Sequence, residues 1–409
     1  MSNNTRETQV NRIAHALLSM TLACLAIDPA MADAGLRYSI TPLGNFVPNG
    51  INNRGDVIGY SLETPDAQAA ILRGNTLTLL NPPGDLSYAN DINDAGQTVG
   101  WYSDSAGPGA GTLHGFLYSG GIARDLGASV MTATAINNAG VIGGALRADN
   151  GADTHGFVYD HGVITDINPG APPGSTVAVT GINNAGVLVG AASFGPGGQP
   201  LPFRYDHRSG VTTDLSSFIP GHDSADTRQY TTIDINDAGN IVISSLSQEL
   251  VLTSYLYAGG AATELGDLGL QQTQATGINN AGLVVGYSED GVLPGSTSGF
   301  VWKDGQIYNV NSLLAPGSDW NVAQLFGVND AGQIAAFGCR STDLGSEPTD
   351  CQGLLLTAGT VPEAGTVALM LAGLAMVGIR VRRMRIRLAL STGRAPRAAS
   401  TAAVRQNRA

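Results

Sequence analysis

A five-residue phrase, Ile-Asn-(Asn/Asp)-x-Gly, recurs seven times in this chain, the last time with Val328 for Ile, and each copy runs into a short apolar segment. Its first Asn falls at Asn52, Asn93, Asn137, Asn183, Asn236, Asn279 and Asn329, at intervals of 41, 44, 46, 53, 43 and 50 residues. A unit of this length cannot bury its own hydrophobic face, so neighbouring units must stack on one another. The phrase itself reads as a tight β-turn. In residues 135–143, Ile136 ends one strand while Val141 and Ile142 begin the next. Asn137 or Asn138 closes an Asx turn, and Gly140 takes the positive φ that a side chain resists. Gly55, Gly96, Gly186, Gly239, Gly282 and Gly332 hold the same slot in the other units.

Each turn leads to a second strand such as Val57-Ile58-Gly59-Tyr60, then a polar loop of variable length. A third run follows with aromatics two apart, as in Gly115-Phe116-Leu117-Tyr118 and Gly299-Phe300-Val301-Trp302. A Gly-containing turn then opens a fourth run ending in pairs such as Asp125-Leu126, Asp166-Ile167, Asp214-Leu215 and Asp267-Leu268. Period-two runs of this kind are strands. Four per unit, with no helical apolar period in the body, predict an all-β fold of four-stranded antiparallel propeller blades. The seventh unit stops after its third strand, and an orphan strand, Tyr38 to Gly44, precedes the first. Its Pro42-Leu43-Gly44 matches Asp125-Leu126-Gly127, so it is expected to complete the last blade and close a seven-bladed ring over residues 35–358. An open β-solenoid or two smaller assemblies are the alternatives.

The ends carry different signals. Residues 1–34 read as a signal peptide: Arg6 and Arg12, an apolar stretch from Ala14 to Ile27, and a small-x-small site at Ala32-Asp33-Ala34. After a 359–365 linker, residues 366–379 form an uncharged apolar stretch, shorter than the roughly twenty residues that span a bilayer. Arg snorkelling makes up part of the deficit, and the Arg-rich 380–409 tail is expected to stay cytoplasmic. Between these ends, residues 35–379 hold 10 Lys+Arg against 30 Asp+Glu, so the body should repel nucleic acid.

Candidate chemistry is sparse. Cys339 and Cys351, both in the last unit of an exported chain, are expected to form a disulfide. His114 and His155 recur in one slot of successive units, which suits packing or hydrogen bonding better than catalysis. The Asp-rich turns at Asp91–Gly96 and Asp234–Gly239 offer closely spaced oxygens to calcium. They lack the hand-type loop, and four turns carry Asn53, Asn138, Asn184 or Asn280 in place of the acid, so turn formation is the simpler reading. No catalytic or cofactor-binding residue is assigned. A phosphate loop and a Gly-x-Ser-x-Gly elbow are both missing.

Two resemblances follow. His114-Gly115-Phe116 and His155-Gly156-Phe157, followed by Asp-Leu-Gly and Ile-Asn-x-x-Gly, resemble the HAF family of extracellular repeats over roughly residues 36–358. Val361-Pro362-Glu363-Ala364-Gly365, the apolar stretch and the Arg cluster resemble a PEP-CTERM sorting tail. That resemblance implies a Gram-negative source, export machinery and an exosortase as partners, and transient anchoring in the inner membrane before release to the cell surface or beyond. Ala364 departs from the family's usual Pro, and residues 388–409 follow where such chains normally end.

The expected function is a non-catalytic, exported binding protein that recognises polysaccharide or another surface protein through its loops. The longest insertions are Ser193 to Pro202, Gly221 to Gln229 and Ser341 to Cys351. The rivals are a glycan-active hydrolase or lyase, which would need two carboxylates near a channel mouth, and a structural spacer.

Overall fold

The computed structural model describes residues 36–359 apart from 64–65, 105–110, 149–150, 152, 169–170, 221–228, 291–296 and 341–348. The expected signal peptide, the linker beyond Gly359, the apolar helix at 366–379 and the Arg-rich tail lie outside these residues. Among the described residues no helix is long and apolar enough to cross a membrane.

The body is an all-β propeller of antiparallel four-stranded blades. Five of its sheets are separate and four-stranded, and a sixth has eight strands. This corrects the expectation of seven separate four-stranded blades. The eight-stranded sheet contains the third and fourth repeat units, joined where Thr154 pairs with Thr176 in parallel. The cause is local: the Thr154 amide donates to the Ser175 carbonyl at 3.2 Å, drawing the first strand of the fourth unit against the third strand of its predecessor.

Burial follows each strand's position. The first strand of the fourth unit, Thr176–Ile182, alternates, with Val177 and Val179 buried between exposed Thr176, Ala178 and Thr180. Second strands such as Val57–Ser61 are buried almost throughout, because sheets cover both of their faces. The apolar clusters are shared between neighbours. Ile58 and Ile71 of the first unit pack with Tyr102 and Phe116 of the second, and Phe46, Val57 and Ala70 of the first pack with Ala335 of the seventh.

The two ends of the body meet. Tyr38–Pro42 lies antiparallel to Thr349–Ala358, from Tyr38 opposite Ala358 to Pro42 opposite Leu354. The Leu43 amide donates to the Gly353 carbonyl at 2.9 Å, as the Leu126 amide does to Gly115 at 3.0 Å. The orphan strand therefore repeats the bond that the fourth strands of the first five units make.

First strands carry a bulge three residues before the recurrent Asn in six units, for example between Pro48 and Gly50. The bulge presses the strand onto its neighbour: a Cβ on Gly59 would stand 1.9 Å from the Val47 carbonyl oxygen. Ile243 occupies that position in the fifth unit, and there the register shift moves to Tyr230/Thr232.

Candidate functional site: the central channel and the loop face

Antiparallel blades place alternate connections at opposite ends. The Asn-Gly turns and the hairpins between third and fourth strands share one end, here the turn face. The connections between second and third strands, and the crossovers between units, share the other, the loop face.

At the turn face the recurrent Asn does two jobs. Asn137 Oδ1 accepts from the Ala139 and Val141 amides, both at 3.0 Å, which closes the turn. Its Nδ2 leaves the unit and donates to the Asn183 carbonyl at 3.1 Å. The pattern repeats from Asn52 to Asn93, Asn93 to Asn137, Asn183 to Asn236, Asn236 to Asn279 and Asn279 to Asn329. Asn329 then donates to the Asn52 carbonyl at 2.9 Å, so the circle is closed. All seven side chains are buried. An Asp could close the turn equally well but could not donate to the next unit. That distinction was available in the sequence, where the first position is always Asn while the second varies.

The second position forms an outer, exposed ring. Asp94 accepts from the Asn53 amide at 2.9 Å and from Asn138 Nδ2 at 2.8 Å, and Asp237 is held alike by Asn184 and Asn280. Asp330 takes two bonds from Asn280, and its own amide donates to Asn53. No two of the three carboxylates are adjacent, and three is the most that seven places on a circle allow on that condition. Each acid sits between amide donors rather than beside a like charge. Asp94 and Asp237 are among the oxygens the sequence offered to calcium, and both are taken up in ring contacts. Among the described residues no three His, Cys, Asp or Glu side chains converge on a metal position.

Inside the channel two chambers, of about 180 and 270 Å³, share Asp91 and Asp234 in their walls. Each carboxylate accepts two backbone N–H groups: Asp91 from Ile92 and Ile136, both at 2.7 Å, and Asp234 from Ile235 at 2.8 Å and Ile278 at 3.1 Å. Burial pushes Asp91 up to about 7 and Asp234 up to about 6. The N–H donors oppose that rise in both, and the charge of Asp234 adds to it for Asp91. Sequence reasoning placed these residues only among turn oxygens. The missed signal is that the equivalent position elsewhere holds Gly50, Ala135, Gly181, Gly277 or Gly327.

The turn glycines Gly55, Gly96, Gly140, Gly186, Gly239, Gly282 and Gly332 have φ between +73° and +82°. His155 Nδ1 meets Asp166 Oδ2 at 2.7 Å, and His114 Nδ1 lies 3.4 Å from Asp125 Oδ2. The first pair is a hydrogen bond that ties a third strand to its fourth, whereas His114 Nδ1 has no hydrogen-bond partner. Cys339 and Cys351 are disulfide-bonded, bridging the base of the last unit's loop. Val361, Pro362, Glu363 and Ala364 lie outside the described residues.

The loop face holds two further cavities, one on each side of the crossover between the third and fourth units. One, of about 560 Å³, is walled by Arg147, Asp153, His155 and Asp166. The other, of about 160 Å³, is largely apolar and walled by Ile167, Ala192, Phe194, Leu201, Pro202 and Phe203, with Asn168, Thr212 and Asp214 as its polar members.

Residues 360–385 match the PEP-CTERM protein-sorting motif. The motif marks a protein that is exported and membrane-anchored during exosortase-dependent sorting. No curated protein matches the chain by sequence. Among solved structures it is similar to dipeptidyl peptidase 4 from Porphyromonas gingivalis, at 11% identity and a TM-score of 0.48 over 73% of this chain and 50% of that one. The chain thus spans about half the length of that peptidase. Oligogalacturonate lyase from Vibrio parahaemolyticus aligns at 9% identity and a TM-score of 0.47, over 79% of this chain and 96% of the lyase. The β-propeller domain of the Trilobed protease from Pyrococcus furiosus aligns at 8% identity and a TM-score of 0.44, over 65% of this chain and 84% of that domain.

Proposed function

We propose that this is an exported, non-catalytic binding protein whose loop face recognises an extracellular polysaccharide or surface protein. The observation that carries the reading is the division of labour between the faces. Polar groups at the turn face are joined to one another around the ring. The long connections, including 193–202 and those that span 221–228 and 341–348, belong to the loop face, and Phe194, Leu201 and Pro202 of the first wall one of its two unsymmetrical cavities. Loops on a rigid scaffold are where recognition concentrates. In this reading the eight-stranded sheet counts as two blades of a seven-bladed wheel, its repeats are of the HAF type, and residues 1–34 are removed on export. The 366–379 helix holds the chain in the inner membrane until an exosortase acts at Val361–Ala364.

A glycan-active hydrolase or lyase is the second reading, and the Asp91/Asp234 pair is the observation in its favour. Both carboxylates already accept two backbone N–H bonds, which assigns them to holding adjacent units together. A glycan array and a hydrolysis screen run on the same full-length protein test the choice. Retained glycan, with binding lost on shortening 194–200 and unchanged in Asp91→Asn/Asp234→Asn, is the expected result. Turnover abolished by the Asp pair would reverse it. No binding at all would leave the spacer role.

A further inference from the structure

We infer that the apolar cavity between the third and fourth units is a subsite for an N-acetylated hexosamine of an extracellular glycan. The inference rests on the binding reading above and names a ligand class for its loop face. Four observations carry it. The cavity is the more apolar of the two loop-face cavities, with Ile167, Leu201, Pro202 and Phe203 in its wall and Thr212 and Asp214 as its other polar members besides Asn168. Its volume, about 160 Å³, is close to the roughly 150 Å³ of an apolar cavity that takes up one benzene ring. Phe194 stands at its edge on the 193–202 insertion and is 46% exposed, offering an aromatic surface to a ring outside the cavity.

The fourth observation selects the ligand. Asn168 Oδ1 is buried and has no hydrogen-bond partner, although the Asn168 amide is satisfied by Asp166 Oδ1 at 2.7 Å. A buried acceptor left unpaired is costly, and a ligand donor relieves that cost. The terminal Asn torsion is soft, so the oxygen can turn toward the cavity. The required ligand is therefore a small apolar group with one N–H beside it. An acetamido substituent answers to this: its methyl group meets the aliphatic wall, its N–H donates to Asn168 Oδ1, and the sugar ring rests against Phe194. An unacetylated sugar brings no methyl group to the aliphatic wall, and its ammonium group would have only the exposed Asp214 carboxylate to pair with, away from the Asn168 acceptor that it leaves unsatisfied.

Titration calorimetry of the full chain with tetra-N-acetylglucosamine, and separately with the de-N-acetylated tetramer, tests the assignment. The acetylated tetramer should bind at least about tenfold more tightly, the equivalent of one well-placed hydrogen bond plus the buried methyl group. Phe194→Ala and Asn168→Leu should each weaken it by about tenfold. Asn168→Leu should leave the melting temperature unchanged or raise it, because it removes an orphaned acceptor. Asn168→Asp, which keeps an acceptor, should bind better than Asn168→Leu. Equal affinity for the two tetramers, or full affinity in Asn168→Leu, overturns the proposal. If the wild-type chain ignores the acetylated tetramer but retains another glycan at the loop face, the subsite is wrong while the binding reading stands. If it retains no glycan or surface protein, both fall.

Discussion

Among the residues, the two channel aspartates have the clearest measurable consequence. Their pKa values in the folded chain lie above the ordinary carboxylate range, at about 7 for Asp91 and about 6 for Asp234. The folded state thus binds more protons than the unfolded state between roughly pH 4 and pH 7, so stability falls as pH rises through that window. The contribution is fully present below about pH 4 and is lost above the folded pKa values. Asp91→Asn/Asp234→Asn should flatten this part of the melting-temperature profile and lower melting overall, because each amide keeps only one of the two oxygens that accept backbone N–H bonds. An unchanged slope would contradict the burial of the pair. At Gly140, with φ of +80°, a β-branched side chain is strained. Gly140→Val should cost about 1 kcal/mol or more, read from denaturant melts.

Between elements, the Asn ring converts a local turn into a bond between blades. Asn236 Oδ1 accepts from the Asn240 amide, and its Nδ2 donates to the Asn279 carbonyl, both at 3.0 Å. Asn236→Asp keeps the acceptor and removes the donor, placing a buried charge against a carbonyl. It should cost more than Asn236→Ala, which loses about 1–3 kcal/mol for the groups left unpaired; a smaller loss in Asn236→Asp than in Asn236→Ala would mean that the inter-blade bond contributes little. The bulged strands add further ties, since Thr134, Thr180 and Thr276 each donate to a carbonyl of the next unit at 2.6 or 2.7 Å. The Cys339–Cys351 bond acts within one blade. Reducing it should lower stability by roughly 3 kcal/mol, the value for a loop of this size, and a reductant-insensitive melt would argue against that role.

For the whole molecule, closure depends on Tyr38–Pro42. Tyr38 is 1% exposed and packs with Leu313, Trp320 and Leu356, so the strand contributes to the core as well as to the sheet. Deleting residues 36–44 should strip the last sheet of its outer strand and expose apolar surface, with broadened melting and aggregation. Near-native melting of the truncated chain would mean that the ends do not hold the body together.

Repetition made much of this legible in advance. The spacing of the Asn-Gly turns, the period-two runs and the orphan Pro42-Leu43-Gly44 determined an all-β propeller with strand exchange between its ends, because each is a local signal repeated until chance is excluded. The sorting motif was equally legible, being contiguous. Tertiary structure alone decided what depends on who sits next to whom around the circle. It joined the third and fourth units through Thr154 and Thr176, gathered Asp91 and Asp234 into one channel from positions 143 residues apart, and left Asn168 without a partner beside an apolar hollow. Those features arise from contacts made only on folding, by backbone groups at Thr154 and Ser175 and by side chains of separate units at Asp91 and Asp234, and the repeat pattern encodes neither.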